Sequence, residues 1–341
     1  MRLNVENWQQ AGANHPSSLA PAASTRLDID TLRGLACLLL VSFHVVGVPG
    51  TGLRLPNTHW LAELNDWLFY LRMPLFSFIS GYVYAARPFQ GNARQFIGGK
   101  TRRLLVPMLT VGTLYALVQR LTPGTNVVGV EQWWLLHIVP IGHFWFLQSL
   151  FLIFLMVVVL ERSTLLARPG TYLLIFAASA ALFVFARPAV YLGLAGVVYL
   201  LPFFLGGLAC RRFDIRSARM RWLAAALFAG GVIWLAMQPG HPAAVAFAGL
   251  IVSVCVVFLL LRSGWQVHWL AYVGGFSFAI YLMHVFFTPA SRMVFASLGL
   301  SDPYVHTLLG TAAGVLGPMA AAALIARSPR LNLYLLGQSS R

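Results

Sequence analysis

The sequence is dominated by apolar runs of about 17 to 22 residues that recur along most of its length with short polar breaks. At about 1.5 Å per residue, an α-helix of that length crosses the roughly 30 Å hydrocarbon core of a bilayer. Only 10% of the residues are charged, whereas soluble domains carry about 25%. The pattern predicts an all-α, polytopic transmembrane helix bundle of about ten spans. The predicted spans are 31–49, 67–86, 104–121, 144–160, 170–186, 190–210, 222–237, 243–261, 269–289 and 305–326.

Basic residues are distributed very unevenly between the two sides of this bundle. Of 24 lysines and arginines, 18 fall on the side of the N-terminus and four on the other side, while Arg33 and Arg72 lie within spans. Because cytoplasmic loops are enriched in Lys and Arg, this bias predicts that both termini face the cytoplasm. It also accounts for the net charge of +15 without nucleic acid, since nucleic-acid-binding proteins gather their cations on one soluble face.

The ends of the chain differ from its middle. Residues 1–26 are polar and lack the apolar core of a cleavable signal, so we expect a disordered cytoplasmic tail there. Residues 27–330 form the predicted membrane domain, and 331–341 form a second cytoplasmic tail. The three cysteines lie in apolar stretches without metal-binding spacing, so we expect neither disulfides nor a metal site.

The first span is the most informative, because the stretch LDIDTLRGLACLLLVSFHVVG contains both Arg33 and His44. Eleven residues return almost to the same face of a helix, and they separate the two side chains by about 16 Å along the axis. Ionisable groups inside a membrane are costly, so this pair indicates a functional site, with a structural ion-pair helix as the alternative. Asp30 is a predicted partner for Arg33 at i+3, and Asp30 and Thr31 are candidate N-cap residues.

The second span also carries polar groups, namely Arg72 beside Pro74, followed by Ser80. Proline frees backbone carbonyls and serine provides polar lining within a bundle. An interior-facing Arg72 would hold an anionic or hydroxylated group. The alternative, of nearly equal weight, is an arginine that extends to the nearby outer interface.

The ninth span repeats the polar pattern. Ser277, Tyr281 and His284 lie at i, i+4 and i+7, on one face of a helix. Three hydrogen-bonding groups on one face of an apolar helix predict a second polar wall that binds substrate. The alternative for His284 alone is a core histidine with its hydrogen bonds satisfied.

Two other segments are candidates for substrate contacts. The loop RPFQGNARQFIGGKTRR ends in Lys100, Arg102 and Arg103, which are suited to bind phosphates at a helix entrance, although topology alone would explain such charges. Trp145 and Gln148, at the start of the fourth span, could stack on and bond to a sugar, although interfacial aromatic residues are common.

These stretches carry a resemblance to a known family. LDIDTLRGLACLLLVSFH, MPLFSFISGYVY, HFWFLQSLF and FSFAIYLMH, in this order, resemble the motifs of acyltransferase family 3, the bacterial integral-membrane O-acyltransferases. The resemblance implies transfer of an acyl group from cytoplasmic acyl-CoA, commonly acetyl-CoA, to a hydroxyl of an extracytoplasmic or lipid-linked carbohydrate. It implies that His44 is the catalytic histidine, that Arg33 is its essential partner, and that the protein lies in the bacterial inner membrane. The basic motif of some members is present only as KTRR, and no hydrolase-like domain follows.

Two mechanisms are compatible with this resemblance. His44 could take the proton of the attacking hydroxyl, or it could carry the acyl group as an acyl-histidine. Arg33 could bind the coenzyme or stabilise the thioester oxyanion. The alternative from another class is a transporter or flippase of a sugar-containing lipid or small solute, but the polar residues cluster in the first two spans and the ninth, without the two similar halves of many transporters. The acceptor, the acyl chain length and the oligomeric state stay open.

Overall fold

A computed structural model of the chain describes residues 23–48, 51–122, 133–237 and 242–338. Within these ranges the protein is helical, and its strand-like pairing is limited to an isolated bridge between Leu136 and Val139. The expected all-α fold class is therefore confirmed. The helices are α1 Ala23–Val46, α2 Trp60–Trp67, α3 Phe69–Ala86, α4 Ala93–Lys100, α5 Val106–Leu121, α6 Trp145–Arg162, α7 Pro169–Phe185, α8 Leu194–Arg212, α9 Ala218–Met237, α10 Pro242–Arg262, α11 His268–Gly275, α12 Ser277–Ser297, α13 Pro303–Ile325 and α14 Pro329–Leu336.

Eight helical segments in the described part of the chain are long and apolar enough to cross a membrane. They comprise α1, α4 joined to α5 through a π-helical turn, α6, α8, α9, α10, α12 and α13. Helix α3 has 18 residues but contains Arg72 and three tyrosines, and α7 has 17 residues. Adding these two shorter helices brings the total to the ten predicted spans.

Helix α1 begins at Ala23, well before the predicted start of the first span at residue 31. Asp30 and Thr31 therefore lie inside the helix, and the prediction that they cap it is wrong. Asp30 instead pairs with Arg33 at 2.8 Å, as predicted, and lies 3.9 Å from Arg26. These i,i+3 and i,i+4 pairs support the additional helical turns.

The predicted ninth span, 269–289, is wrong as a single helix. Helix α11 ends at Gly275, Phe276 interrupts the helix, and α12 then continues through Pro289 to Ser297. Two adjacent glycines lower helix propensity at the break, whereas a proline within a membrane helix removes one backbone hydrogen bond without ending it. The connection between the predicted ninth and tenth spans, residues 290–304, is accordingly reduced to residues 298–302.

Close backbone contacts join the central helices. A Cβ added to Gly81 would lie 1.9 Å from the Phe204 carbonyl oxygen, and one added to Gly207 would lie 1.9 Å from that of Phe78, so α3 and α8 touch along their backbones. A Cβ added to Gly34 would lie 2.0 Å from the Leu270 carbonyl oxygen, so α1 and α11 also touch along their backbones. Small residues allow this approach, which maximises van der Waals contact between membrane helices.

Contacts between α1 and the α11–α12 pair occur in the same order along both. Thr31 hydrogen-bonds to the Val267 backbone, the Cys37 thiol contacts the Ser277 carbonyl at 3.9 Å, and His44 reaches His284 further along. The two elements therefore run side by side in one direction. This alignment positions the histidines.

The predicted tails lie partly outside the described residues. Residues 1–22 and 339–341 lie outside them, as do residues 123–132 of the predicted outer loop 122–143. Helix α14, within the predicted C-terminal tail, packs on α5, where the Thr110 hydroxyl donates to the Tyr334 carbonyl at 2.6 Å.

Candidate functional site

Three histidines from distant parts of the sequence meet inside the bundle, and we call them the histidine cluster: His44, His143 and His284. The ring centroid of His284 lies 4.7 Å from that of His44 and 4.8 Å from that of His143. The centroids of His44 and His143 are 5.8 Å apart. His44 comes from the last turn of α1, His284 from α12 and His143 from the turn before α6.

A turn of the chain directs His143 inward. Gly142 has φ +51°, a left-handed conformation that favours glycine because a Cβ would be strained there. It begins the short 3₁₀ turn Gly142–Phe144, and the side chain of His143 is only 6% exposed. His143 lies in the connection between the predicted spans 104–121 and 144–160, and it was not predicted as a site residue. Its position as the first residue of HFWFLQSLF was the available signal.

The hydrogen bonds of His284 determine which of its nitrogens is free. Its Nδ1 lies 2.8 Å from the Ile280 carbonyl oxygen and 3.0 Å from that of Tyr281. Since both partners are acceptors, Nδ1 carries the proton, and in the neutral ring Nε2 holds an unprotonated lone pair. Nε2 is buried without a hydrogen-bond partner among the described residues.

His143 is also unsatisfied. Both ring nitrogens are buried and neither has a hydrogen-bond partner within the described structure. A neutral imidazole has one N–H donor and one acceptor, and each buried polar group left unpaired costs about 1–3 kcal/mol. His44 as a residue is partly exposed, unlike His143 and His284. Unpaired imidazole nitrogens of this kind are typical of a site that binds a polar ligand.

Tyr281 links two members of the cluster. Its hydroxyl donates a hydrogen bond to the backbone carbonyl of His143, and its ring centroid lies 4.9 Å from the His143 ring. Tyr281 and His284 are therefore adjacent at the site, as the spacing predicted. Ser277 lies two helical turns before His284, at the start of α12, where its backbone carbonyl contacts the Cys37 thiol.

Arg72 is buried at the same end of the bundle, with 3% of its surface exposed. Its Nε donates to the Leu39 carbonyl at 3.0 Å, and its Nη2 donates to the backbone and side-chain oxygens of Asn65 at 3.0 and 2.7 Å. Its guanidinium carbon lies 4.2 Å from the Phe43 ring centroid. Arg72 therefore faces the interior rather than the interface, and it joins α3 to α1 beside His44.

Arg33 is not part of the histidine cluster. Arg33 lies on the same helix as His44, about 16 Å away along the helix axis. It pairs with Asp30 at 2.8 Å, and a third of its side chain is exposed. The structure therefore does not bring Arg33 into contact with His44.

Three of the predicted substrate contacts, Ser80, Trp145 and Gln148, pack against or bond to other parts of the bundle. The Ser80 hydroxyl donates to the carbonyl of Phe76 in its own helix at 2.8 Å. Trp145 packs against α8, where a Cβ added to Gly196 would lie 2.5 Å from its ring. Gln148 donates to the His137 carbonyl at 2.5 Å.

Of the predicted phosphate-binding residues, Arg102 and Arg103 lie within the π-helical turn Thr101–Leu105 and Lys100 directly precedes it. The Lys100 ammonium lies 3.6 Å from the Phe154 ring centroid and 5.2 Å from that of Phe96. Arg103 is exposed, and the Nε of Arg102 is buried without a partner among the described residues. π-Helical turns inside α-helices are frequently found at functional sites.

Two other polar features lie apart from the histidine cluster. His137 is half-buried in the segment before α6, where it hydrogen-bonds to Thr113 at 2.9 Å and where burial lowers its pKa. A cavity of about 290 Å³ lies near the start of α3. Its lining consists of Glu63, Asp66, Trp67, Tyr70, Leu235 and Val245, and therefore includes none of the three histidines. Within the described ranges, no group of three or more His, Cys, Asp or Glu side chains is arranged to hold a metal ion.

Comparison with known proteins adds one finding to this geometry. A family model described as an acyltransferase domain matches residues 26–327, which include nearly all of α1 and every element through α13. No curated protein and no solved structure gives a significant match. All three members of the histidine cluster lie within the matched region.

Proposed function

Because the chain belongs to acyltransferase family 3, we propose that it transfers an acyl group, with acetyl as the expected group, from cytoplasmic acyl-CoA to a hydroxyl of an extracytoplasmic or lipid-linked carbohydrate. The observation that carries the proposal is the histidine cluster, whose buried ring nitrogens lack partners in the described part of the chain. Imidazole is the side chain best suited to proton transfer near neutral pH.

The reaction forms one bond and breaks another. The hydroxyl oxygen of the acceptor bonds to the acyl carbon, the carbon–sulfur bond of the thioester breaks, and the hydroxyl proton passes through an imidazole to the coenzyme thiolate. His44 is the proposed catalytic residue, either as the base or as a nucleophile that carries the acyl group first. The position of its ring beside two buried imidazoles supports both roles.

The coenzyme is proposed to bind at the opposite end of the bundle from the histidine cluster. Lys100, Arg102 and Arg103 would contact its phosphates, and the buried, unpartnered Nε of Arg102 supports this assignment. Arg33 retains its proposed catalytic role toward the donor, because it lies between that end and His44 on α1. The extended pantetheine arm of the coenzyme would have to cover the remaining distance to His44.

The acceptor is proposed to approach the histidine cluster from the end at which α1 finishes. Arg72, Tyr281 and His284 lie at this end and are proposed to bind it. Ser80, Trp145 and Ser277 stay predicted acceptor contacts. The Ser80 hydroxyl bonds within its own helix, and Trp145 and Ser277 contact neighbouring helices.

The proposed location is the bacterial cytoplasmic membrane with both termini inside, which the distribution of basic residues supports. Single cysteines at residues 298–302 should react with an impermeant maleimide on intact cells, whereas cysteines at residues 213–217 should react only after lysis. The opposite pattern would contradict this orientation.

Purified protein in lipid nanodiscs tests the activity directly. We expect release of free coenzyme A from acetyl-CoA only when a suitable glycan is present, together with an acetylated glycan detected by mass spectrometry. A transporter or flippase would instead move the glycan across proteoliposomes without consuming acetyl-CoA. That result would reject the enzymatic proposal.

A further inference from the structure

The unpaired nitrogens of the histidine cluster have a defined hydrogen-bonding pattern. Nε2 of His284 is an acceptor, because Nδ1 holds the proton against the Ile280 and Tyr281 carbonyls. His143 offers one donor and one acceptor, and both of its nitrogens are buried and unpartnered in the described structure. The two ring centroids are 4.8 Å apart, so the edges of both rings lie within reach of one small polar group.

An alcohol matches this pattern, whereas the common charged groups do not. A hydroxyl has one proton to donate to His284 and a lone pair to accept from His143. A carboxylate would direct a lone pair at the lone pair of Nε2, and an ammonium group would leave the N–H of His143 without an acceptor. The pair is therefore selective for a neutral group that both donates and accepts.

We propose that His143 and His284 together hold the reacting hydroxyl of the acceptor, with His284 as the base that takes its proton. This inference rests on the proposed acyl transfer and assigns a catalytic role to His284, which its spacing predicted only as part of a substrate-binding polar wall. It also adds His143, which donates a hydrogen bond to the hydroxyl oxygen.

The step balances as follows. The hydroxyl proton moves to Nε2 of His284 as the oxygen bonds to the acyl carbon, and the acyl carbon leaves either the coenzyme sulfur or His44. The proton then passes to the leaving atom, which regenerates neutral His284. During the step, the imidazolium keeps its Nδ1–H bonded to the two carbonyls, which stabilise its positive charge.

The backbone of Tyr281 and its side chain both support this arrangement. Its carbonyl helps to orient the His284 ring, and its hydroxyl holds the backbone of His143. His44 is then left to face the acyl group, 4.7 Å from His284. In this arrangement His44 would act on the acyl donor, and His143 and His284 would act on the acceptor.

The experiment uses the full chain in nanodiscs with acetyl-, propionyl- and succinyl-CoA and a panel of methyl glycosides. The glycoside that the wild-type protein acylates best becomes the probe. His284→Gln is expected to lower kcat by about 10²- to 10⁴-fold, the range for loss of a general base. His143→Gln is expected to raise KM for the glycoside about tenfold while KM for acyl-CoA stays unchanged.

A matched control is available in His306, another buried histidine, whose Nε2 bonds to the Leu300 carbonyl at 2.7 Å away from the cluster. His306→Gln should leave both kinetic constants within twofold of wild type. To separate chemistry from folding, His284→Ala should regain part of its turnover when free imidazole is added.

Three results would overturn the inference. The first is unchanged glycoside kinetics in both variants while the wild-type protein transfers normally. The second is a change confined to KM for acyl-CoA, which would place the pair on the donor side. The third is a folded His284→Ala protein that imidazole does not rescue. Absence of transfer by the wild-type protein with every donor and glycoside would instead reject the proposed function, and this inference with it.

Discussion

The two ends of the bundle use ionisable groups in opposite ways. At the end where α1 finishes, three imidazoles and Arg72 are gathered from four separate segments, and two of the imidazoles are buried with unpaired nitrogens. At the other end cations are numerous but mostly peripheral. Arg103 is exposed, and Lys100 lies over an aromatic ring.

The same contrast appears along α6, which connects the two ends. His143 precedes its first turn without a side-chain partner in the described structure, whereas Glu161 in its last turn is paired with Arg212 and accepts a hydrogen bond from Tyr84 at 3.2 Å. A buried polar group without a partner is costly, whereas the charge of Glu161 is satisfied by its partners. The histidine end therefore carries the stronger indication of function, and the basic end needs a kinetic test.

The largest effect is expected at His44. His44→Ala should lower acyl transfer by at least about 10³-fold while membrane insertion and thermal stability stay near wild type, because only the chemical step loses its imidazole. Coenzyme A release measures the activity. The exposed His268 provides the control, since His268→Ala should behave as wild type. Near-normal turnover in well-inserted His44→Ala protein would contradict the assignment of the chemical step to the histidine end of the bundle.

Arg72 should come next, with an effect on stability as well as activity. Arg72→Gln leaves the Leu39 carbonyl and the Asn65 oxygens without their donor, and we expect it to cost about 2–4 kcal/mol of unfolding free energy. Thermal unfolding in detergent checks this, with Arg187→Gln as the control because Arg187 is exposed and bonds to nearby carbonyls of its own segment. An unchanged melting temperature would show that Arg72 is dispensable for packing.

The basic end should respond more weakly and only toward the donor. The double variant Lys100→Glu and Arg103→Glu is expected to raise KM for acyl-CoA about tenfold, because it replaces phosphate-attracting charges with repulsive ones. The KM for the acceptor should not change. Arg219→Glu alters an exposed cation on α9 and should have no effect. An unchanged KM for acyl-CoA in the double variant would contradict the proposed phosphate contacts and would leave membrane orientation as the role of Lys100 and Arg103.

Arg33 should show the smallest effect of the four. Because it already pairs with Asp30 and lies far from the histidine cluster, Arg33→Gln is expected to raise KM for acyl-CoA about three- to fivefold with a lesser change in kcat. Steady-state kinetics with both substrates varied distinguishes the two constants. A loss of kcat as deep as that of His44→Ala would instead establish Arg33 as a direct partner in the chemical step.

The helical architecture and the short-range contacts could be predicted from the sequence. A bilayer requires apolar runs of a certain length, so composition and run length were sufficient to predict about ten membrane-spanning helices. The Asp30–Arg33 pair and the common face of Tyr281 and His284 followed from helical periodicity, which relates residues to their own helix axis.

Which helices meet, and at what level along their axes, became visible only in the folded bundle. The contact between Tyr281 and His143 joins residues 138 positions apart, and no periodicity connects them. The alignment of α1 with α12 depends on backbone contacts at Gly34 and Gly274 and on the break at Phe276. Periodicity specifies the face of a residue but not the neighbour that covers it, because helix packing is set by close contacts between surfaces distant in the sequence. For that reason Arg33 and His44 were predicted as a pair, whereas the partners that the structure places beside His44 are His143 and His284.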